Sequence, residues 1–264
     1  MFFVFFLCLL LTGCFEIKRS QQEAIKQRNE RKDCIHRNQQ EHLYTFHSTL
    51  SLKTRDPYPW EVGYVGSHGK ITKEVFRCKG GQVHQGTVCG CGGFQKHSLP
   101  MKGGKEFIYP VLLEILNELQ VKTAGEVVVT CGHRCPVHNK YADPSSYNLS
   151  SKHMMGAEVD FYIQGWEDKA EQVIELIMEG YRKKYPEQKA FYPFQRLDKE
   201  KVNVSTPPWY NQEILIKLYR KEEGRDLDNQ HAYPYISLQV RWDRDTEEKV
   251  IYSKEKALNG YVRY

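Results

Sequence analysis

The sequence predicts an α+β fold in which a mainly antiparallel sheet is flanked by helices. Amphipathic helical patterns and short apolar runs of strand type both occur, but they do not alternate regularly as in a βαβ protein, which favours an antiparallel sheet. The chain has 264 residues, of which 40% are hydrophobic, so it is long enough to bury a core in one or two globular domains.

The first fourteen residues are typical of an export signal. The apolar run that starts at Met1 is too short to span a bilayer, and it ends in Leu11-Thr12-Gly13-Cys14. This ending resembles the lipobox of bacterial lipoproteins. The resemblance implies a signal peptide over 1–14, lipidation of Cys14 and a membrane-anchored protein on the periplasmic or cell-surface side of the bacterial envelope. An uncleaved anchor is the alternative.

Residues 15–45 are dominated by polar and charged side chains and are interpreted as a tether or polar helix. The formal net charge of +5 is spread over interspersed acidic and basic residues, which excludes the dense basic face of a nucleic-acid-binding protein. Residues 46–105 are rich in cysteine and in glycine pairs, which predicts an N-terminal subdomain of short strands and tight turns. Residues 106–264 are expected to form the main domain.

The main domain begins with a predicted helix over 106–120, whose first turn tolerates Pro110. Its apolar face comprises Phe107, Val111, Leu112, Ile115, Leu116 and Leu119. Residues 126–131 predict a buried strand, and 159–163 predict a second strand. A second amphipathic helix carries Trp166, Ala170, Val173, Ile174, Ile177 and Tyr181 on one side. A long loop over 186–209 and a last strand over 235–242 complete the domain.

His153 and Asp160 are the most informative pair of residues, because their types and spacing suit two ligands of one metal ion. On a single helix they would lie about 10 Å apart along the axis, too far to converge. Gly156 and the β-branched run after it instead favour a loop that enters a strand, which can bring both groups to about 2.0–2.2 Å from a common ion. An imidazole and a carboxylate together suit zinc.

A catalytic zinc site needs a third protein ligand, and His231 is the predicted one because it directly precedes the last strand. Asp228, three residues earlier, is the predicted general base. Other residues remain alternatives: for the third ligand they are His84, His97, His133 and His138, and for the base they are Asp226 and Glu223.

Two motifs carry a resemblance to a known family. Ser151-x-His153-x-x-Gly156-Ala157-x-x-Asp160 resembles the signature of the zinc D-Ala-D-Ala carboxypeptidases, and the stretch from Thr130 to Asn139 is similar to that family's arginine-containing block. The family shares its fold with lysostaphin-type endopeptidases and the hedgehog signalling domain. The likeness covers roughly 106–242 and implies a hedgehog/DD-peptidase-like fold.

The resemblance also implies roles for individual residues. His153, Asp160 and His231 would bind Zn²⁺, Asp228 would accept a proton, Arg134 would contact the substrate carbonyl or stabilise the oxyanion, and Ser151 would contact substrate or orient His153. The implied substrates are peptidoglycan stem peptides, cleaved at D-amino-acid amide bonds by a carboxypeptidase or an endopeptidase. Glu158 departs from the signature, which has a small residue near this point. A non-catalytic, zinc-stabilised envelope-binding module of the same fold is the alternative.

Six of the eight cysteines lie beyond Cys14, an even number for a chain bound for an oxidising compartment. We expect a disulfide between Cys131 and Cys135 that braces the Arg134 loop. These two cysteines with His133 and His138 also offer a zinc ligand set, which is the alternative. The same choice between a disulfide and a zinc site applies to Cys78, Cys89 and Cys91, which have His84 or His97 nearby. The simpler expectation is a disulfide between two of these three cysteines, which leaves the third to pair with Cys34.

Overall fold

The computed structural model describes residues 69–80, 83–84, 87–88, 91, 93, 96–142, 151–198, 204–224, 226, 228–229 and 231–264. The predicted signal peptide, the lipidation at Cys14, the tether over 15–45, the first part of the N-terminal subdomain, Cys34 and Cys89 all lie outside these residues.

The described elements mix helices with antiparallel strands. The strands are β1 (Val83–His84), β2 (Thr87–Val88), β3 (Met101–Lys102), β4 (Lys105–Glu106), β5 (Val127–Cys131), β6 (Glu158–Ile163), β7 (Gln195–Arg196), β8 (Trp209–Tyr210), β9 (Ile214–Tyr219), β10 (Tyr235–Val240), β11 (Trp242–Asp243) and β12 (Glu248–Lys249). The α-helices are α1 (Pro110–Thr123), α2 (Pro136–Ala142), α3 (Ala170–Lys184) and α4 (Lys254–Asn259), and 3-10 helices span Lys73–Phe76, Lys152–Met155 and Glu167–Lys169.

The centre of the molecule is a six-stranded sheet in the order β5-β6-β10-β9-β8-β7. Every neighbouring pair in it is antiparallel. The strands β1 and β2, β3 and β4, and β11 and β12 form separate two-stranded ladders. The α+β class with an antiparallel sheet is therefore confirmed.

The strand β6 is buried along its whole length and presents different side chains to the two faces of the sheet. Val159, Phe161 and Ile163 belong to the hydrophobic core, which also contains the apolar faces of α1 and α3. Because side chains alternate along a strand, Glu158 and Asp160 lie on the opposite face. The helices thus cover one face of the sheet, and the candidate metal ligand Asp160 lies on the other.

The segment 69–80 is attached to the main domain by side-chain hydrogen bonds. Asn117 of α1 accepts from the backbone N–H of Ile71 at 2.9 Å and donates to its carbonyl at 2.8 Å. Arg77 forms a two-pronged ion pair with Glu106, at 2.9 and 2.8 Å. At Gly132 a Cβ atom would lie 2.5 Å from the Phe76 Cα, so only glycine allows this close approach of the two chains.

Most of the predicted elements of the main domain are confirmed, with shifted ends. The first helix begins at Pro110, four residues later than predicted, and Pro110 occupies its first turn. The strand β9 was not predicted, although it is the central partner of β10. The predicted loop over 186–209 contains β7 and the first residue of β8. Among the described residues, no helix is both long and apolar enough to cross a membrane.

Candidate metal centre

His153 and Asp160 are brought together by a short helix, a turn and a strand. His153 lies in the 3-10 helix Lys152–Met155, and Gly156 ends that helix with a φ of +66°. This left-handed conformation favours glycine and reverses the chain into β6, where Asp160 faces back toward His153. The predicted turn into a strand is confirmed.

The distance between the two side chains fits a shared ion. His153 Nε2 lies 3.5 Å from Asp160 Oδ2. Two nitrogen or oxygen ligands at about 2.0–2.1 Å from a tetrahedral zinc ion are about 3.3 Å apart. His153 Nδ1 lies 2.8 Å from the Gly132 carbonyl oxygen, so an Nδ1–H donated there leaves Nε2 as the ligand atom.

The charges around His153 also suit a cation. Burial acts to lower the pKa of His153, but Cys131, Glu158 and Asp160 outweigh it and raise this pKa well above its ordinary value. The acidic groups around the imidazole therefore favour a positive charge at this position. A metal ion at Nε2 would take over this positive charge and release the proton.

Cys131 is the third member of the group. One ligand atom from each of Cys131, His153 and Asp160 lies within 4.8 Å of the others, and the three residues could hold a metal ion. Cys131 is the cross-strand partner of Asp160, but its Sγ lies 3.3 Å from His153 Nδ1 and not from the Nε2 that faces Asp160, so it shares an ion with that pair only if its side chain turns. Burial raises the pKa of the Cys131 thiol to about 12, so it would bind a metal only with loss of its proton.

His231, the predicted third ligand, is not in this group. Its ring packs against Tyr162, with the ring centres 5.1 Å apart, and edge-on against Tyr235 at 5.7 Å. Since Tyr162 and Asp160 lie on the same face of β6, His231 is close to the candidate site without joining it.

Glu158 lies beside the His153–Asp160 pair on the same face of the sheet. Its Oε2 is 3.7 Å from His153 Nε2, and its Oε1 accepts hydrogen bonds from Ser237 and Gln239 of β10. Burial acts to raise the pKa of Glu158, but His153 and the nearby lysines lower it to about 2. Glu158 is thus an ionised carboxylate that faces the candidate metal position.

Arg134 and Asp228, the two predicted catalytic residues, bind each other. Arg134 Nε donates to Asp228 Oδ2, while Asp228 Oδ1 lies 3.0 Å from His138 Nε2. A second Arg134 nitrogen donates to Asp226. Burial acts to lower the pKa of Arg134, but the two carboxylates raise it well above its ordinary value. Both oxygens of Asp228 are therefore engaged by buried side chains.

Asn229 links this ion pair to the candidate metal ligands. Its side-chain nitrogen donates to Asp160 Oδ2 at 2.9 Å and to Asp226 Oδ1 at 3.1 Å. Its side-chain oxygen accepts from Thr130 at 2.6 Å. Asn229 is fully buried and orients the ligand carboxylate, a role that sequence reasoning did not assign to it.

Ser151 lies directly before the 3-10 helix that carries His153. Its carbonyl oxygen accepts from the backbone N–H of Met154 at 3.0 Å, and its side chain makes no capping hydrogen bond. The backbone of Ser151 thus helps to form the start of the 3-10 helix that carries His153.

The expected disulfide between Cys131 and Cys135 is not formed. Both thiols are free, and they belong to different groups. Cys131, the last residue of β5, lies beside Asp160, whereas Cys135 directly precedes α2. Cys78 and Cys91 are also free, which excludes a disulfide between them. A second group that could hold a metal ion consists of Cys78, Cys91, His97 and Cys135.

Comparison of the chain with protein-family models, with curated proteins and with solved structures found no match.

Proposed function

We propose that this chain is a zinc-dependent peptidase that hydrolyses D-amino-acid amide bonds in the peptide stems of peptidoglycan. The observation that carries the proposal is the approach of His153 Nε2 to Asp160 Oδ2 at 3.5 Å, with Nδ1 turned to the Gly132 carbonyl. The substrate class rests on the likeness of both motifs to the zinc D-Ala-D-Ala carboxypeptidases, and the proposal includes that family's hedgehog/DD-peptidase fold.

The proposed zinc ligands are His153, Asp160 and Cys131. In support, these three residues form one group of ligand atoms, whereas His231 packs on Tyr162 outside it. When bound, zinc supplies Lewis-acid chemistry that polarises an amide carbonyl and activates water toward attack. Asn229 holds the Asp160 carboxylate in place through its hydrogen bond to Oδ2.

Glu158 is the proposed proton acceptor in place of Asp228. Its Oε2 faces His153 Nε2, and Ser237 and Gln239 hold its other oxygen, so the carboxylate is oriented toward the reacting position. Asp228 is engaged by Arg134 and His138, which leaves it a positioning role. Arg134 then has a positioning role as well, because it holds the segment that carries Asp226 and Asp228.

The proposed location is the bacterial cell envelope, with the chain attached to the membrane through a lipid on Cys14. This part of the proposal rests on the signal-like segment 1–14. It agrees with a substrate in the cell wall.

The experiment is digestion of purified muropeptides by the full zinc-loaded chain, with products identified by mass spectrometry. We expect release of terminal D-alanine or scission within the stem, and loss of both in His153→Ala and Asp160→Asn. The exposed Asp168→Asn is the matched control and should cleave as the wild type does. Intact stem peptides after incubation with zinc-loaded wild type would refute the proposal.

A second candidate is a non-catalytic, zinc-stabilised module that binds the envelope. The mutual engagement of Arg134 and Asp228 favours it, because these groups neutralise each other instead of facing a substrate. This candidate predicts that the protein sediments with peptidoglycan and leaves every stem peptide uncut. It also predicts that Glu158→Gln does not affect binding to the cell wall.

A further inference from the structure

Four side chains outside the site above converge on one point. Cys78, Cys91, His97 and Cys135 each offer a ligand atom within 4.8 Å of the other three. Cys78 Sγ and Cys91 Sγ are 3.6 Å apart, and Cys91 Sγ is 3.2 Å from His97 Nε2. At zinc distances of about 2.3 Å for sulfur and 2.0–2.1 Å for nitrogen, tetrahedral ligands are about 3.8 Å and 3.5 Å apart. A disulfide would instead need sulfurs about 2.05 Å apart.

The surroundings orient three of the four ligands toward this point. His97 Nδ1 lies 3.0 Å from the Ser98 carbonyl oxygen, which directs Nε2 at the sulfurs. Backbone N–H groups donate to two of the sulfurs, from Gly93 to Cys91 at 3.3 Å and from His138 to Cys135 at 3.4 Å. Such donors stabilise thiolates, the form in which cysteine binds zinc.

The rings around His97 close the site on one side. The rings of His133 and Tyr261 both stand edge-on to it, with centres 5.6 and 5.5 Å away. Three of the four ligands are buried, and Cys91 is half-buried. Four protein ligands leave no open coordination position, which is the arrangement of a structural zinc site.

We propose that Cys78, Cys91, His97 and Cys135 bind a structural zinc ion that joins the N-terminal segment to the main domain. The ligands come from three separate stretches of chain: one follows the 3-10 helix Lys73–Phe76, one comprises 91–97, and one precedes α2. No other covalent link joins these stretches among the described residues, whose four cysteines are free. Zinc at this point provides the kind of cross-link that disulfides supply in many small exported domains.

The proposed zinc ion also supports the candidate metal centre through His138. His138 Nδ1 lies 3.0 Å from Cys78 Sγ, and its Nε2 lies 3.0 Å from Asp228 Oδ1. Asp228 in turn binds Arg134. The structural site is therefore connected through His138 to the Arg134–Asp228 pair.

The first test is X-ray absorption of zinc bound to the full-length His153→Ala protein, which keeps the four proposed ligands and loses a ligand of the other group. We expect three sulfur neighbours at about 2.3 Å and one nitrogen at about 2.0–2.1 Å. A zinc ion with no sulfur among its directly bound neighbours would overturn the proposal. This measurement does not depend on a variant of the site itself.

The second test compares zinc content in matched serine variants. Cys135→Ser should contain one zinc ion per chain less than the wild type. The double variant His153→Ala/Cys131→Ser should contain as much zinc as His153→Ala alone. Mass spectrometry of non-reduced, alkylated peptides supplies the opposing outcome: a disulfide that joins any two of Cys78, Cys91 and Cys135 would refute the zinc site. Equal zinc content in Cys135→Ser and wild type would refute it as well.

Discussion

Replacement of Asp228 by alanine separates a positioning role for this residue from a catalytic one. In the structure Asp228 and Arg134 form an ion pair in which the side chains are 3% and 4% exposed, and His138 contacts the second carboxylate oxygen. Loss of one partner of a buried ion pair costs about 3–5 kcal/mol, because the other charge stays buried. Arg134 keeps Asp226, so we expect the lower end, about 3 kcal/mol.

The expected loss is large enough to measure by thermal unfolding. For a chain of this size, 1 kcal/mol corresponds to about 2–4 °C in Tm, so Asp228→Ala should unfold about 6–12 °C below the wild type. Asp228→Asn, which keeps the volume and removes the charge, should retain most of this loss. The exposed Asp168→Ala is the control and should change stability by less than about 0.5 kcal/mol.

The opposite result would refute the reasoning. If Asp228→Asn unfolds at the wild-type temperature but loses about 10²–10⁴-fold in cleavage rate, Asp228 is a general base, as predicted from the sequence, and its ion pair contributes little to stability.

Three further predictions concern single residues. Cys131→Ser should weaken zinc binding at the His153–Asp160 pair at least tenfold in a chelator competition, whereas His231→Ala should leave the affinity nearly unchanged; the reverse order would restore His231 as the third ligand. Glu158→Gln should lower the cleavage rate by about 10²–10⁴-fold at unchanged zinc content, and a wild-type rate would exclude Glu158 as the proton acceptor. Burial acts to raise the pKa of Glu106, but Arg77 outweighs burial and lowers this pKa. The ionised carboxylate therefore stabilises the fold at pH values above the pKa that Glu106 has in the unfolded chain, and this contribution is lost as the pH falls through the lower pKa of the folded state. Glu106→Gln should therefore lower the free energy of unfolding by about 1–3 kcal/mol at pH 7, measured by urea unfolding. The difference in unfolding free energy between variant and wild type should narrow below about pH 4.3, and a difference that does not depend on pH would contradict this.

Local patterns in the sequence were sufficient for most of the main domain. The helix α1 has an apolar stripe, so its type could be inferred, but its start was predicted four residues too early because the proline of its first turn was placed inside a longer helix. The strand β9 has no comparable periodicity, since a short run of six residues that is apolar except for Lys217 is compatible with a strand or a buried helix. Its pairing with β10 decides between them, and that pairing is a tertiary contact.

In the candidate site as well, the contacts set by local sequence could be predicted and those set by strand pairing could not. His153 and Asp160 are seven residues apart, so a single turn at Gly156 relates them and their approach could be predicted. Cys131 joins them only because β5 pairs with β6, and the register between strands was not predictable from either strand alone.

The cysteine pairing was predicted wrongly for a related reason. Cys131 and Cys135 are close in sequence, which favoured a disulfide, but one ends a strand and the other precedes a helix, so they lie in different groups. The partners of Cys135 come from 78, 91 and 97, at separations that match no short zinc-binding motif. The packing of Phe76 against Gly132 places Cys78 near Cys135, and this is a tertiary contact.

The most direct test of the central claim is the release of D-alanine from a synthetic stem pentapeptide by the full-length chain, before and after removal of zinc. We predict release by the zinc-loaded wild type, none after the metal is stripped, recovery when zinc is returned, and no release by His153→Ala under any condition. An intact pentapeptide with the zinc-loaded wild type, or equal release by the stripped protein, would contradict the claim that His153 and Asp160 hold a catalytic zinc ion.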